Sequence, residues 1–242
     1  MERNTLVGID FLAMGATISG LGFLLAESVS IAAFGFALLV IGALIVLVVP
    51  EPVPRDALKA LLKDSIRNVE SILEESGLRS KAYFFQMEDG ELRALVPLSP
   101  AGEDEPFPDP KKLESTPRRF IINNPDIRGL MVIPPGNELV HLAKVERGGD
   151  LEQALRSTLV EYSDLARGVL AVEEDGGRLF KVQINRPQLS SESPYFNDSL
   201  GTPVSCVAMC VAAAVKGVPV RITEERYDPS FIRLTIEAPG GP

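Results

Sequence analysis

Tryptophan is absent from the 242 residues, histidine occurs once, at His141, and cysteine only twice, at Cys206 and Cys210. A single histidine excludes multi-histidine metal sites and makes any Ser-His-Asp or Cys-His arrangement depend on His141 itself. Carboxylate sites for Mg²⁺ or Ca²⁺ stay open. The cysteines lie four apart in a run of small apolar residues, Val204–Ala214, so on a helix they share one face and read as buried small hydrophobes. They lack the C-x-x-C spacing of a redox or zinc motif, and no disulfide framework is implied. A basic stretch is missing too. The formal net charge is -9, and positions 1–50 hold Arg3 against Glu2, Asp10 and Glu27, which leaves 23 basic and 30 acidic residues beyond them, a net of -7. That balance argues against nucleic-acid binding, which depends on phosphate neutralisation, and against the domain lying flat on anionic lipid.

What the chain has in abundance is apolar sequence at its start. Leu6–Leu25 and Ser30–Val49 are two apolar runs separated by Ala26-Glu27-Ser28-Val29. Each approaches the ~20 residues with which a helix crosses ~30 Å of hydrocarbon. The first has no positive side-chain charge in its n-region and the second follows at once, so the pair reads as a retained two-helix transmembrane hairpin over residues 1–50 (about 6–25 and 30–49) rather than a signal peptide. Glycine recurs every seven residues, at Gly8, Gly15 and Gly22 in the first run and at Gly35 and Gly42 in the second. Seven residues are two turns, so each set forms a stripe that lets helix backbones approach. The partner is the other helix of the same chain or, in the sharper reading, another copy or another membrane protein. The connecting loop has no basic residue, whereas Arg3 precedes the first run and Arg55, Lys59, Lys63 and Arg67 follow the second, which places both termini in the cytoplasm.

Pro50-Glu-Pro-Val-Pro54 is a short spacer centred on residues 51–54, and residues 55–242 form the expected cytoplasmic domain. An amphipathic helix covers about Arg55–Ser76, with Leu58, Leu61, Leu62, Ile66, Val69, Ile72 and Leu73 at helical spacing and Gly77 as its stop. A hairpin follows, 81–87 and 92–98 around Asp89-Gly90. Residues 99–118, with five prolines and clustered acids, read as an exposed loop. Strand signals return at 119–122, 127–133 and 138–145, the last holding His141. Then helix, strand, strand appears twice more: 150–166 with a hairpin over 168–173 and 178–184, and 202–216 with a hairpin over 218–225 and 231–237. The polar loop 185–201 lies between them. The expected fold class is α+β: an antiparallel sheet with helices packed on it in αββ-type units, and helix 202–216 buried.

The most site-like stretch is 190–203. Thr202 suits an N-cap, Pro203 the first helical position, and Gly201 permits close backbone approach, so with Ser199 this helix start could hold a phosphate or carboxylate. The same residues also serve any well-capped helix. Tyr195 and Phe196 are aromatics in a polar loop, suited to a partner contact or to folding back on the core. No catalytic residue, metal ligand or cofactor motif is recognisable; Glu173, Glu174 and Asp175 are the carboxylates an enzyme reading would use, beside Gly176-Gly177 in a turn.

The transmembrane hairpin, the proline spacer and the segment Gly201-Thr-Pro-Val-Ser…Val215-Lys-Gly-Val-Pro-Val-Arg221 together resemble uncharacterised archaeal membrane proteins. That resemblance implies a layout and no activity. The reading favoured from residues is a membrane-anchored, non-enzymatic scaffold or accessory subunit that forms homo-oligomers or joins a membrane partner. The alternative is a membrane-tethered domain sensing a small molecule or anion at the 185–203 loop. An enzyme ranks last.

Overall fold

A computed structural model of the chain describes residues 3–24, 28–48, 55–99, 107–109, 111–112, 120–124, 127–190 and 192–239. The 51–54 spacer lies outside the described residues. Two compact units emerge, residues 1–54 and 55–242.

The first unit is a pair of helices, α1 (Arg3–Leu24) and α2 (Val29–Val48), packed along each other. Neither has an amphipathic stripe of polar residues, since both are apolar around the whole circumference. Among the described residues, two stretches are long and apolar enough to cross a membrane, Val7–Leu24 and Pro194–Lys216. They differ in surroundings: the first is 17% buried and the second 89%, so the second is the core helix pair of the other unit. Helix α2 is apolar over Val29–Ile45.

The second unit is α+β. It opens with α3 (Arg55–Glu75), whose Leu62, Ile66, Val69 and Leu73 are buried. Leu61, one position off that stripe, stays exposed. The strands are β1 (Tyr83–Gln86), β2 (Leu92–Pro97), β3 (Ile121–Asn124), β4 (Ile127–Val132), β5 (Gly168–Glu174), β6 (Leu179–Asn185), β7 (Val220–Asp228) and β8 (Phe231–Glu237). They form one eight-stranded sheet, ordered β3-β4-β2-β1-β7-β8-β6-β5, with every pairing antiparallel. The β7–β8 hairpin is last in sequence yet central in space, with β1 on one side and β6 on the other. Its turn is closed by Asp228, whose carboxylate accepts from the Ser230 backbone N–H at 2.8 Å.

Helices cover one face of this sheet. The chief one is α7 (Pro203–Lys216), buried at every position from Pro203 to Val215, as its all-round apolar sequence requires. Three others differ from sequence expectation. Residues 138–145 form no strand: α4 spans Asn137–Leu142 and buries Leu139 and Val140, adjacent residues that a strand would send to opposite faces. The chain enters it through Gly136 at φ 116°, and a Cβ there would lie 3.0 Å from Val207 of α7, so the entry to the helix lies close against α7. The 150–166 helix begins as α5 (Leu151–Arg156), capped by Asp150, and widens into a π-helical stretch, Ser157–Tyr162. The 185–201 segment is likewise not all loop, because α6 spans Pro194–Leu200.

The opposite face of the sheet carries a smaller core of Phe85, Leu95 and Ile122. Near it, Phe107 meets the Tyr83 ring edge-on at 5.5 Å and the Arg221 guanidinium at 5.3 Å, and Pro108 is buried. Residues 107–108 are therefore packed rather than part of an exposed loop; the rest of 99–118, apart from 99, 109, 111 and 112, lies outside the described residues.

Candidate functional site

The start of α7 is already supplied with an anion. Glu225, reaching from β7, accepts the Thr202 backbone N–H at 3.0 Å and the Ser205 hydroxyl at 2.6 Å. Ser205 in turn stands 2.6 Å from the Thr202 hydroxyl. Thr202 occupies the N-cap position, but its hydroxyl turns to Ser205 instead of a backbone N–H. Gly201 has φ +83°, and a Cβ on it would fall 2.7 Å from Ile222 Cδ1 and 3.0 Å from Glu225 Oε2. Only glycine lets the chain bring the Thr202 N–H and the Ser205 hydroxyl to the carboxylate.

Helix α6 repeats the device. Its first N–H groups, from Tyr195 and Phe196, donate to the two oxygens of Glu70 on α3, at 3.2 and 2.5 Å. Tyr195 is half-buried under the Arg79 guanidinium, 4.2 Å from its ring centroid, and Arg79 also pairs with Asp198 at 2.8 Å. Phe196 is in the core. Ser199 is buried, its hydroxyl 3.4 Å from the Leu78 carbonyl, and its own carbonyl accepts the Ala82 N–H. So Tyr195, Ser199, Gly201 and Thr202 do come together, as the joint that fastens α6 and α7 to α3 and β7. A groove of about 720 Å³ runs beside that joint. Its lining includes the carboxylates of Glu192, Asp198 and Glu225 against one cation, Lys81. Glu225 takes the Thr202 N–H and the Ser205 hydroxyl beside it, and the groove presents mainly negative charge.

The other sequence-nominated residues have structural partners. Glu173 pairs with Lys216 at 3.4 Å and Glu174 with Lys181 at 2.8 Å. His141 is exposed on α4. Cys206 and Cys210 are fully buried in α7; burial, and next the neighbouring Cys210, push the Cys206 thiol well above its ordinary range. In the other unit, Gly8, Gly15, Gly22, Gly35 and Gly42 are the buried positions of α1 and α2 among the described residues. A Cβ on Gly15 would lie 2.6 Å from the Leu39 N, and one on Gly42 2.8 Å from the Leu12 N, each across the helix pair.

Sequence reasoning missed a second concavity. On the sheet face away from α7, strands β5, β6, β8 and β7 enclose a cleft of about 460 Å³. Leu170 and Val172 of β5 line it and are half-exposed, while Val169 packs into the core behind them. The available signal was the run Val169-Leu-Ala-Val172, which is apolar toward both faces where a one-sided strand would alternate.

No curated protein and no solved structure matches this chain. A family model does, over residues 1–236: that of the domain of unknown function DUF7982. The match takes in both units, and the chain belongs to that family.

Proposed function

We propose that the chain is a membrane-anchored, non-enzymatic scaffold or accessory subunit. In this reading α1 and α2 cross the bilayer, and residues 55–242 are a cytoplasmic domain that assembles with further copies or with a membrane partner. The observation that carries it is the glycine seam. With five glycines as the buried positions of the pair, the larger side chains are turned outward: Phe23 is 77% exposed, Phe34 60% and Phe36 64%. Continuous apolar surface of this kind suits hydrocarbon, and soluble monomers rarely present more than a few hundred Å² of it. In lipid, close backbone approach at small residues is what holds two helices together. Arg3 on one side, with Arg55, Lys59, Lys63 and Arg67 on the other, supports cytoplasmic ends.

An anion pocket at the 185–203 loop is less well supported, because Glu225 accepts the Thr202 N–H and the Ser205 hydroxyl and Glu70 accepts the first two N–H groups of α6.

The test is alkaline carbonate extraction of native membranes, followed by labelling of a Ser28→Cys variant with a membrane-impermeant maleimide. Retention in the pellet and labelling of intact cells support the reading; release by carbonate overturns the anchor. Native mass spectrometry in mild detergent should then find a homo-oligomer or a stoichiometric partner. A bare monomer overturns the assembly role.

A further inference from the structure

The cleft on the open sheet face is built from two cross-strand rows. One runs Leu170–Gln183–Arg233–Arg226 and the next Val172–Lys181–Thr235–Glu224, each residue directly opposite its neighbour across β5, β6, β8 and β7. A bulge between Ile222 and Glu224 in β7 sets this register, turning Glu224 and Arg226 to the open face and Glu225 toward α7. Three strand spacings of about 4.8 Å give each row a span of about 14 Å. The apolar pair sits at the β5 end and the guanidinium groups at the β8 and β7 end.

Three features of this surface run against the rest of the domain. Its lining has three cations, Lys181, Arg226 and Arg233, against Glu224 alone, in a domain whose net charge is -7. Arg226 and Arg233 are direct cross-strand partners, an arrangement of like charges that weakens a sheet unless an anion relieves it. Glu224 pairs with Arg226 at 2.8 Å, whereas Arg233 stacks on the Phe231 ring and pairs with no carboxylate among the described residues. Leu170, 51% exposed, and Val172, 58% exposed, stand side by side on an edge strand, where charged residues are the usual protection.

We propose that this cleft binds a small amphipathic anion, its alkyl or aryl body along Leu170 and Val172 and its carboxylate or phosphate at Arg233 and Arg226, with Lys181 beside it. The volume of about 460 Å³ suits one small molecule, within the roughly 300–1,000 Å³ of ligand sites. A whole anionic bilayer is a poor occupant, because the domain's net charge would repel it. The exposed pairs Lys181–Glu174 and Arg226–Glu224 are weak enough for a ligand anion to replace them. The site is independent of the anchoring and assembly reading.

The experiment uses the full chain in phosphatidylcholine nanodiscs, titrated calorimetrically with decanoate, decylammonium or inorganic phosphate, with empty nanodiscs as reference. Decanoate should bind saturably, one per chain, beyond its uptake by empty discs, and decylammonium should not. Arg233→Gln should weaken decanoate about tenfold, the scale of one charge-assisted hydrogen bond, and Leu170→Gln should weaken it as well. Without ligand, Arg233→Gln should melt at the same or a higher temperature, since it removes the like-charge pair; this separates lost binding from lost fold. Absence of saturable decanoate binding, equal binding of decylammonium, phosphate binding as tightly as decanoate, or unchanged affinity in both variants would each overturn the proposal.

Discussion

Glu225 and Thr202, 23 positions apart in sequence, meet through a carboxylate that accepts the Thr202 backbone N–H at 3.0 Å and the Ser205 hydroxyl at 2.6 Å. A helix start that looks open to a ligand from its sequence is thereby closed by the protein's own acid. The carboxylate also faces the positive end of the α7 dipole.

Removing that acid leaves polar groups of α7 without their partner. Glu225→Ala should destabilise the domain by about 1–3 kcal/mol, and Glu225→Gln by less, because the amide oxygen still accepts. Gly201→Ala should cost a similar amount, through its φ of +83° and the 2.7 Å approach to Ile222. Urea unfolding of the full chain in detergent, followed by far-ultraviolet circular dichroism, measures all three. Wild-type midpoints in the Glu225 variants would contradict this account of the cap.

At α6 the magnitudes separate two neighbouring ionic contacts. Glu70→Ala breaks two bonds to helix N–H groups, from Tyr195 and Phe196, and should cost about 1–3 kcal/mol. Asp198→Asn breaks the solvent-exposed pair with Arg79 and should cost about 0–1 kcal/mol. The same unfolding assay should rank Glu70→Ala clearly below Asp198→Asn.

The helix pair offers a matched set of glycines. A Cβ on Gly35 would meet the backbone of Ser19 and, at 2.9 Å, the Gly15 carbonyl oxygen, whereas one on Gly20 would have nothing within 4 Å. Gly35→Leu should therefore separate α1 from α2 and Gly20→Leu should not. Thermal unfolding of the full chain in detergent should begin at a lower temperature with Gly35→Leu and at the wild-type temperature with Gly20→Leu. Equal melting of the two variants would sink the seam.

Cys206 should resist iodoacetamide in the native state up to alkaline pH and react fully in denaturant, because burial keeps the thiol protonated. The sign for stability follows from a folded-state pKa raised above the unfolded one. The contribution is complete below the unfolded thiol's pKa of about 8.5 and is lost as pH rises beyond it toward the folded value. Cys206→Ala should flatten the alkaline decline in melting temperature, measured from pH 8 to about 10.5.

Much of the fold was legible locally. Turn residues between apolar runs, Asp89-Gly90, Asp175-Gly-Gly177 and Asp228-Pro-Ser230, marked the β1–β2, β5–β6 and β7–β8 hairpins, and continuous apolarity marked α7 as buried. Residues 138–145 misled because Leu139, Val140 and Leu142 fit a strand as well as a helix; the adjacent Leu139 and Val140 are buried together, which one face of a helix allows and one face of a strand does not. Tyr195 looked like an oddity in a loop because the group that starts α6, Glu70, lies 125 positions away from it. The cleft left only the apolar run in β5, since its cations come from three different strands.

The sequence by itself determined the two all-apolar helices at the start, the seven-residue glycine repeat along them, the acidic balance of the remainder and the α+β character of that remainder. These are set by composition and by the periods of helix and strand, which neighbouring residues express without help. Only the tertiary structure decided that β7–β8 lies in the middle of the sheet, that Glu70 and Glu225 close the helix starts, and that Arg226 stands opposite Arg233. Each of these depends on pairings between distant segments, and the one-residue bulge in β7 decides which face Glu224, Glu225 and Arg226 present. A period of two carries no notice of such a shift, so the exchange of faces becomes visible only when the strands are paired.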